Sequence, residues 1–510
     1  MLAKVLSFGL YGMEAYPVEI EVDVSRGLPQ LNLVGLPDSA VKESKERVKS
    51  AIKNSGFSWP SERITVSLAP SGIKKEGACF DLGIALGILA ATEQINGSGL
   101  TGYFVLGELA LDGTLRPVRG ALPIAMAAAK TSGGAMIVAE QNAREAALVS
   151  GISVFGLKTL KQSVEFLNSP EISTPFKPDL FGLSAGKNRY SIDFSEVKGQ
   201  YLAKRALEIA IAGGHNILMI GPPGSGKTML AKRLPTIMPD LSLEEILEIS
   251  KIHSIAGSLL NKDGIMTTRP FRCLHHSISS AAMVGGGSQP VPGEISLAHQ
   301  GVLFLDELPE FRHDCLEALR QPLEDNSIRV SRIFKSFTFP ASFVLVAAMN
   351  PCPCGYYTDP HKACRCSTTQ VARYRSKISG PLLDRIDIHI EVPPAQYQEL
   401  NSDLPAESSA QIKQRVDKAQ LAQRERFKDE GIFFNARMSH KQVKKFCSLG
   451  KEENELLKMA MSELNFSARA YDKILKVSRT IADLAESGQI ETRHLAEAVQ
   501  YRSLDGNLFI

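Results

Sequence analysis

Residues 221–228 carry the pattern most able to do chemistry in this 510-residue chain. They read GPPGSGKT, follow an apolar run and precede a segment with helical periodicity, which is the strand–loop–helix setting of a phosphate-binding P-loop. The glycines let backbone N–H groups turn towards phosphate oxygens, and the start of the helix adds partial positive charge. The sequence therefore predicts a nucleotide site in which Lys227 reaches the β- and γ-phosphates and Thr228 binds Mg²⁺. The predicted phosphate loop comprises Gly221, Pro222, Pro223, Gly224, Ser225, Gly226, Lys227 and Thr228.

Two further apolar runs end in polar side chains that could complete this site. GVLFLDE ends in Asp306 and Glu307, and FVLVAAMN ends in Asn350. Strands buried on both faces of a parallel sheet present their carboxyl ends at one edge, beside a bound phosphate. We expect Asp306 to hold Mg²⁺ through water, Glu307 to orient and deprotonate the attacking water, and Asn350 to align that water or sense the γ-phosphate. A solvated acidic strand end is the alternative, and the nearby P-loop makes it weaker.

Two arginines could complete the phosphate site from another subunit or from a lid. Arg385 precedes a predicted strand, and Arg469 lies near the start of a C-terminal helix. A lone arginine is usually a solvated surface residue. In these contexts we expect Arg385 to serve the site of a neighbouring subunit and Arg469 to act from a lid. Arg479 lies on the same helix and is an alternative to Arg469.

Four of the eight cysteines form a cluster with the spacing C-x-C-x₉-C-x-C. Four thiolates in one short loop predict tetrahedral Zn²⁺ with a structural role. The C-x-C pairs are tighter than the usual zinc spacing, so an iron–sulfur cluster and free thiols remain alternatives. A basic stretch beyond the cluster surrounds Tyr374 and could face DNA or the next subunit. The predicted ligands are Cys352, Cys354, Cys364 and Cys366, and the basic residues are Arg373, Arg375 and Lys377.

The elements around these motifs suggest several domains. Residues 1–167 alternate short strands and helices and are predicted to form an α/β or α+β domain. Residues 168–190 are rich in Pro, Ser and Gly and are predicted to be a linker. Residues 191–395 form a second predicted α/β domain with a cysteine-rich insertion at 352–366. Residues 396–510 are helical in pattern.

Composition limits the class of protein but does not name a partner. The net charge of +3 is too small to indicate nucleic-acid binding by itself. No apolar run reaches the roughly 18 residues of a membrane span, and we identify no signal peptide. The cysteines outside the cluster are scattered, which is typical of a reducing compartment. We therefore expect a cytoplasmic protein with no membrane partner.

Taken in order, the P-loop, the acidic strand end, the polar strand end, the arginine and the helical lid resemble an AAA+ ATPase. The segments RPFRCLHHSISSAAMVGGGSQPVPGEISLAHQGVLFLDELPEF and MNPCPCGYYTDPHKACRC, followed by YRSKISGPLLDRID, resemble the magnesium-chelatase-like subgroup. Within that subgroup they resemble the ComM/YifB family. The N-terminal segment VEIEVDVSRGLPQLNLVGLPDSAVKESKERVKSAIKNSGF is similar to that family too. The resemblance covers nearly the whole chain.

This resemblance implies a homo-hexameric ring that hydrolyses ATP with Mg²⁺ and moves DNA. The studied members of the family are branch-migration motors that extend strand exchange in natural transformation. The residues that match the family's expected types are Lys227, Thr228, Asp306, Glu307, Asn350, Arg385 and Arg469. The main rival is an AAA+ ATPase that remodels a protein or a metal-chelatase-like client without DNA.

Two segments resemble insertions that project into the central pore of similar ATPases. The glycine-rich segment SISSAAMVGGGSQPVPGEISLAHQ is predicted to be a flexible loop, and DNSIRVSRIFKSFTFPASF is predicted to be a β-hairpin. The hairpin would present Arg329, Arg332 and Lys335 to a DNA phosphate backbone, and a solvated hairpin face is the alternative. His275 and His276 precede the loop and are expected to be structural or to support the site indirectly, because no ligand set accompanies them.

The N-terminal domain resembles the Lon-protease-like fold of the ribosomal S5 superfamily. Such proteases use a nucleophilic serine and a lysine. Here Cys79 stands at the serine position and Pro123 at the lysine position. Without a base to activate it, Cys79 is a poor nucleophile. We therefore expect a catalytically inactive scaffold.

Overall fold

The computed structural model describes residues 1–131, 134–177, 190–259, 264–287, 290–331, 336–357, 359, 362–394, 406–464 and 466–504. They fall into two compact units, each of mixed α/β structure. The first comprises the described residues of 1–187, 242–267 and 288–291. The second comprises those of 188–241, 268–287 and 292–510.

A mixed seven-stranded sheet forms the centre of the first unit, in the order β3-β4-β2-β1-β5-β8-β9. Its strands are β1 (Leu2–Tyr11), β2 (Glu14–Ser25), β3 (Gln30–Val34), β4 (Arg63–Ala69), β5 (Tyr103–Val105), β8 (Ala135–Ala139) and β9 (Ser153–Leu157); β6 (Glu108–Leu109) and β7 (Leu115–Arg116) form a separate pair. Strand β2 is antiparallel to both β1 and β4, and the other neighbours are parallel. The helices of this unit are α1 (Ser39–Asn54), α2 (Asp81–Ala91), α3 (Ala121–Ala128), α4 (Glu140–Ala146), α5 (Leu160–Asn168) and α8 (Leu243–Ile255).

Helix α2 is buried along its whole length, which its nearly all-apolar sequence predicts. Glycines on one face let it approach the sheet closely. A Cβ at Gly83 would lie 2.6 Å from Cδ1 of Ile20, and a Cβ at Gly87 would lie 2.6 Å from Cγ2 of Val22. The two glycines are four residues apart, so they share the face that contacts β2.

Residues 242–267 belong to the first unit, although the sequence division places them within 191–395. Helix α8 begins at a capping box in which Ser242 and Glu245 bond each other's backbone. Near the end of the helix the Oγ of Ser254 donates to Oε2 of Glu145 at 2.6 Å, and both residues are buried. This contact between distant parts of the sequence is why the local pattern did not reveal the assignment.

A parallel five-stranded sheet in the order β11-β14-β17-β10-β18 forms the core of the second unit. Every residue of β10, β14 and β17 is buried, because both faces of the sheet are covered. The strands are β10 (Ile217–Ile220), β11 (Phe271–Leu274), β14 (Val302–Leu305), β17 (Val344–Met349) and β18 (Ile388–Glu391), with short β12 (Gly285–Gly286) and β13 (Val291–Pro292) and the antiparallel hairpin of β15 (Ser327–Ser331) and β16 (Ser336–Pro340). The helices that accompany the sheet are α6 (Tyr201–Gly213), α7 (Lys227–Arg233), α9 (Ser280–Val284), α10 (Glu294–Leu297), α11 (His313–Ala318), α12 (Arg320–Asp325), α13 (Thr368–Arg375) and α14 (Gly380–Leu383).

The glycine-rich segment is more ordered than the sequence predicts. It contains α9 and α10, and the side chains of Met283, Ile295 and Ala298 are fully buried in the hydrophobic core of this unit. The prediction of a flexible loop rather than core is therefore wrong for these residues. Positions 288 and 289 lie outside the described residues.

The C-terminal part of the described chain is helical. It comprises α15 (Ser409–Arg426), α16 (His440–Phe446), α17 (Lys451–Glu463), α18 (Ala468–Leu484) and α19 (Thr492–Gln500). Apolar side chains of these helices join one hydrophobic cluster with those of α6 and the parallel sheet. No helix in the described part of the chain is both long enough and apolar enough to cross a membrane.

Candidate nucleotide site and cysteine cluster

The P-loop follows β10 and begins α7. A Cβ at Gly221 would lie 2.2 Å from the carbonyl oxygen of Val392, so only glycine fits there. Gly224 and Gly226 have φ angles of +81° and +90°, which favour glycine. The Nζ of Lys227 donates to the carbonyl oxygens of Gly221 at 2.7 Å and Pro222 at 2.9 Å. The loop therefore holds its lysine in place through its own backbone.

Three strands bring their polar ends to this loop. Ile220 of β10 pairs with Met349 of β17, and β17 pairs with β14 on its other side. Asn350 follows Met349, and its Oδ1 lies 3.4 Å from the Nζ of Lys227. The parallel order of the sheet thus places Asn350 beside the P-loop, where the sequence predicts it.

Asp306 faces the start of the P-loop helix. The Oγ1 of Thr228 donates to Oδ2 of Asp306 at 2.7 Å, while the backbone N–H of Glu307 donates to Oδ1 at 3.0 Å. A hydroxyl and a carboxylate at this separation are oxygen ligands of the kind that Mg²⁺ prefers, directly or through water. The pair therefore fits a magnesium ion that accompanies a bound phosphate.

The ammonium of Lys227 lies in a partly dehydrated environment. Burial lowers its pKa to about 8, and the negative charge of Asp306 partly opposes that shift. The lysine is therefore close to neutralisation at mildly alkaline pH. A bound polyphosphate would favour its charged form.

Glu307 makes a contact that the sequence analysis missed. Its Oε2 lies 3.2 Å from Nδ1 of His276, and the ring of His276 stacks on that of His275 with centroids 4.1 Å apart. Glu307 has a φ of 54°, an uncommon backbone conformation for a non-glycine residue. His276 follows β11, which neighbours β14 in the sheet, and this strand order has no local signal in the sequence.

The two predicted arginines have partners within their own chain. The guanidinium of Arg385 contacts Glu324 at the end of α12, and only 12% of its side chain is exposed. Arg469 is 65% exposed, and its Nη1 lies 3.6 Å from Oδ2 of Asp384. The structure therefore brings each arginine to a carboxylate of its own chain.

Arg479 has a structural role in the C-terminal helical region. Its side chain is 4% exposed, and its Nε donates to Oδ1 of Asp483 at 3.0 Å. Its Nη1 donates to the carbonyl oxygen of Gly488 at 2.9 Å. These bonds hold the guanidinium of Arg479 within the helical region. Arg469 is therefore the better candidate for contact with a ligand.

A buried ionic network ties the helical region to the segment that carries Arg385. Nζ of Lys473 on α18 lies 2.9 Å from Oδ1 of Asp387, and Nδ1 of His215 lies 3.4 Å from Oδ2. Burial opposes ionisation of Asp387, but Lys473 and His215 outweigh it and hold its pKa well below the usual range. Lys473 also donates to the carbonyl oxygen of Ile386 at 3.1 Å.

A cavity of about 370 Å³ opens beside the P-loop in the second unit. The sequence carries no local signal for this cavity, because its lining comes from separate parts of the chain. Gly224 and Met229 line it together with Val197, Gln200 and Pro394. The cavity is partly apolar and adjoins the phosphate loop, as a pocket for a nucleotide base would.

The four clustered cysteines meet in space. Their sulfurs all lie within 4.8 Å of one another. The pairs Cys352–Cys354, Cys352–Cys364 and Cys354–Cys364 are separated by 3.4, 3.6 and 3.5 Å. A tetrahedral zinc site with Zn–S bonds of about 2.3 Å has S···S edges of about 3.8 Å, so the set fits Zn²⁺. Backbone N–H groups of Arg365 and Tyr356 lower the pKa of Cys354 to about 6, whereas at Cys364 and Cys366 a backbone hydrogen bond is outweighed by burial and the neighbouring thiols, which raise the pKa values of both.

The predicted DNA-contacting cations differ in their surroundings. Arg329 on β15 and Arg373 on α13 are exposed. Arg375 instead donates from Nε to the carbonyl oxygen of Pro351 at 3.3 Å, and Nζ of Lys377 lies 3.1 Å from Oε2 of Glu310. Arg332 and Lys335 lie outside the described residues.

Cys79 in the first unit has the environment of an inert thiol. Burial raises its pKa to about 12, and the nearby charge of Asp81 adds to the shift. Pro123 lies buried within α3. A thiol with so high a pKa is almost entirely protonated at neutral pH, so it is a weak nucleophile.

The P-loop lies between an interior parallel strand and a helix, and acidic and amide side chains lie at the ends of nearby strands. This arrangement defines a P-loop nucleotide-binding protein. Residues 193–400 match the family described as magnesium chelatase, subunit ChlI. Residues 20–142 match the subunit ChlI of Mg-chelatase family, and residues 406–502 match the C-terminal family of the same subunit.

Relatives that cover nearly the whole chain indicate a more specific family within the P-loop nucleotide-binding proteins. The chain is 47% identical over 508 residues to Competence protein ComM of Haemophilus influenzae, covering 99% of this chain and 98% of that protein. It is 46% identical over 498 residues to YifB of Escherichia coli, covering 97% and 96%. A more distant likeness, 24% over 180 residues, links 31% of the chain to 31% of Lon protease 2 of Bacillus subtilis. The chain belongs to the ComM/YifB family of magnesium-chelatase-like AAA+ proteins.

Proposed function

We propose that this protein is an ATP hydrolase that works as a homo-hexameric ring and uses ATP to move DNA. Its role would be that of a helicase that promotes branch migration during homologous recombination in natural transformation. The observation that carries the proposal is the convergence of Lys227, Thr228, Asp306 and Asn350 at one edge of a parallel sheet. The relationship to a competence protein supports the recombination role.

The geometry of the site supports the following roles in hydrolysis. Lys227 and the loop N–H groups bind the phosphates, and Thr228 with Asp306 holds Mg²⁺. Glu307 deprotonates the attacking water, which Asn350 helps to align. The cavity lined by Val197 and Met229 accepts the base. Every one of these groups lies in the second unit, so one chain supplies the binding half of the site.

Two arginines complete the site in the assembled ring. Arg385 lies just before β18, the strand at one edge of the parallel sheet, and is held by Glu324 in the single chain. In the ring it exchanges that carboxylate for the γ-phosphate bound to the adjacent subunit, which stabilises the charge of the transition state. Arg469 on α18 reaches the nucleotide of its own subunit from the lid. This division makes hydrolysis depend on assembly.

The remaining domains support the motor. Residues 1–167 form a catalytically inactive Lon-protease-like domain, and the high pKa of Cys79 supports that assignment. Residues 191–395, apart from the parts of 242–267 and 288–291 that belong to the first unit, are the AAA+ core, and 396–510 are the helical lid. Arg329 and Arg373, which are exposed, contact DNA phosphates from the pore side. The four-cysteine cluster holds a structural Zn²⁺.

The steady-state ATPase rate tests the proposal most simply. We expect little hydrolysis without DNA and strong stimulation by single strands and four-way junctions, which is lost in Lys227→Ala. Stimulation that falls steeply with salt would match phosphate contacts. A rate that is indifferent to every DNA, with no DNA binding at low salt, would favour the second candidate. That candidate is a remodelling ATPase with a protein or metal-chelatase-like client, which the match to the magnesium chelatase subunit favours.

A further inference from the structure

The cysteine cluster lies directly against the P-loop. The backbone N–H of Gly355 donates to the carbonyl oxygen of Cys352 at 3.0 Å, which closes a tight turn between the first two ligands and the rest of the loop. Gly355 has a φ of +85°. A Cβ at this position would lie 2.6 Å from Cδ and 2.8 Å from Cγ of Pro223. The turn therefore packs on the second proline of GPPGSGKT with no room for a side chain.

The other side of the cluster is anchored as well. Only Asn350 and Pro351 lie between the end of β17 and Cys352, so two residues join the cluster to the strand. Pro351 accepts a hydrogen bond from Nε of Arg375 on α13, whose guanidinium also lies over the ring of Tyr357 at 5.1 Å. Ser367, next to the last cysteine, caps α13 together with Gln370. The cluster thus links a sheet strand, a helix and the phosphate loop.

Burial contributes little to the rigidity of the cluster in the described residues. Among its cysteines only Cys352 is fully buried, and the other three are half-buried. Metal–thiolate bonds in small loops supply folding energy directly, because the unliganded loop has little apolar surface to bury. A metal ion is therefore what would keep Gly355 pressed against Pro223.

We propose that Zn²⁺ bound by Cys352, Cys354, Cys364 and Cys366 buttresses the P-loop through the contact of Gly355 with Pro223, so that nucleotide affinity depends on zinc occupancy. This inference rests on the proposed ATP site. It adds that zinc occupancy regulates how tightly that site binds nucleotide. Zinc keeps the loop in the shape that presents its N–H groups to phosphate. Loss of zinc releases Pro223 and lets the loop relax. When the groups that position a bound ligand are misplaced by about 1 Å, the reaction rate can fall by about a hundredfold.

Zinc content and nucleotide affinity are measured separately on the full chain. Atomic emission should find about one zinc per chain in the wild type and none in Cys364→Ser. Cys273→Ser, which alters an exposed cysteine outside the cluster, should keep its zinc. A fluorescent ATP analogue should bind at least about tenfold more weakly to Cys364→Ser than to Cys273→Ser. Chelation of wild-type zinc should give the same loss, and added Zn²⁺ should reverse it.

A glycine pair isolates the contact from the metal. Gly355→Ala and Gly151→Ala introduce the same Cβ at φ angles of +85° and +88°, but Gly151 has nothing within 4 Å. Both variants should keep zinc and remain folded at the temperature of the assay. Only Gly355→Ala should bind the ATP analogue more weakly. This comparison separates the pressure on Pro223 from the general strain of alanine at positive φ.

The outcomes distinguish the inference from the proposed function. A wild-type protein that lacks zinc, or one that binds the ATP analogue equally well before and after chelation, overturns the zinc buttress and leaves the ATP site standing. A zinc-loaded wild type that does not bind the ATP analogue overturns the proposed function itself. Equal affinities of Gly355→Ala and Gly151→Ala refute the route through Pro223.

Discussion

The lowered pKa of Lys227 makes nucleotide binding sensitive to mildly alkaline pH. Burial brings this pKa to about 8, so the free protein carries the ammonium below that pH and loses it above. Phosphates attract the charged form, so the bound state holds the proton more tightly than the free state. Binding above pH 8 therefore requires uptake of a proton, and affinity falls as pH rises.

The size of the effect follows from the fraction of charged lysine. With a pKa of about 8, roughly nine-tenths of Lys227 is charged at about pH 7 and roughly one-tenth at about pH 9. The dissociation constant of an ATP analogue should therefore rise about tenfold between these two pH values. Arginine keeps its charge throughout this range, so Lys227→Arg should show no such rise, whatever its absolute affinity.

Fluorescence titration of both proteins at a series of pH values, at constant Mg²⁺ and ionic strength, provides the measurement. Lys227→Arg corrects for any titration of the ligand or of other groups. A wild-type affinity that stays constant to pH 9 would refute the reasoning. So would a slope that Lys227→Arg reproduces, because the titrating group would then lie elsewhere.

Three further substitutions give distinct expected results. Glu307→Gln should keep ATP binding and slow hydrolysis by about 10²–10⁴-fold, which equilibrium binding and single-turnover assays separate; an unchanged rate would exclude it as the base. Arg385→Ala should lower turnover of the ring by about 10³-fold, and mixing it with Glu307→Gln subunits should restore part of the rate; no recovery would place the arginine's role within its own chain. Asp387→Asn leaves the buried ammonium of Lys473 uncompensated and should cost about 3 kcal/mol by urea unfolding. As a control, substitution of the partly exposed Asp472 by Asn should lower the free energy of unfolding by under about 1 kcal/mol. Equal losses in the two variants would contradict the idea that Asp387 compensates a buried charge.

The local parts of the nucleotide site could be predicted from the sequence. A parallel strand buried on both faces reads as a continuous apolar run, and its carboxyl end must lie at the loop-bearing edge of the sheet. This rule brings Asn350 to the sheet edge that carries Lys227, although the two are 123 residues apart. It also places Asp306 opposite Thr228.

Contacts between side chains of distant segments could not be predicted in the same way. The bond of Glu307 to His276 depends on which strand neighbours β14, and the sheet order is not written in any local pattern. The pairing of Arg385 with Glu324 depends on the packing of α12 near the segment before β18. Neither residue pair has a spacing that a motif could reveal.

The cysteine cluster has one feature that the sequence predicts and one that it does not. The pattern C-x-C-x₉-C-x-C predicts that the thiols could share a metal, and the structure brings their sulfurs together. The contact of Gly355 with Pro223 has no sequence signal, because glycine in such a loop is equally consistent with an open turn. Only the packing shows that the metal site and the phosphate loop touch.

Movement of a DNA branch point is the central claim, and a four-way junction with a fluorophore and an acceptor on separate arms tests it most directly. With ATP and Mg²⁺ the wild-type protein should separate the arms into two duplexes, so energy transfer is lost with time. Glu307→Gln should bind the same junction and leave energy transfer unchanged. A wild type that hydrolyses ATP yet neither binds nor resolves the junction, at any salt concentration tried, would contradict the account.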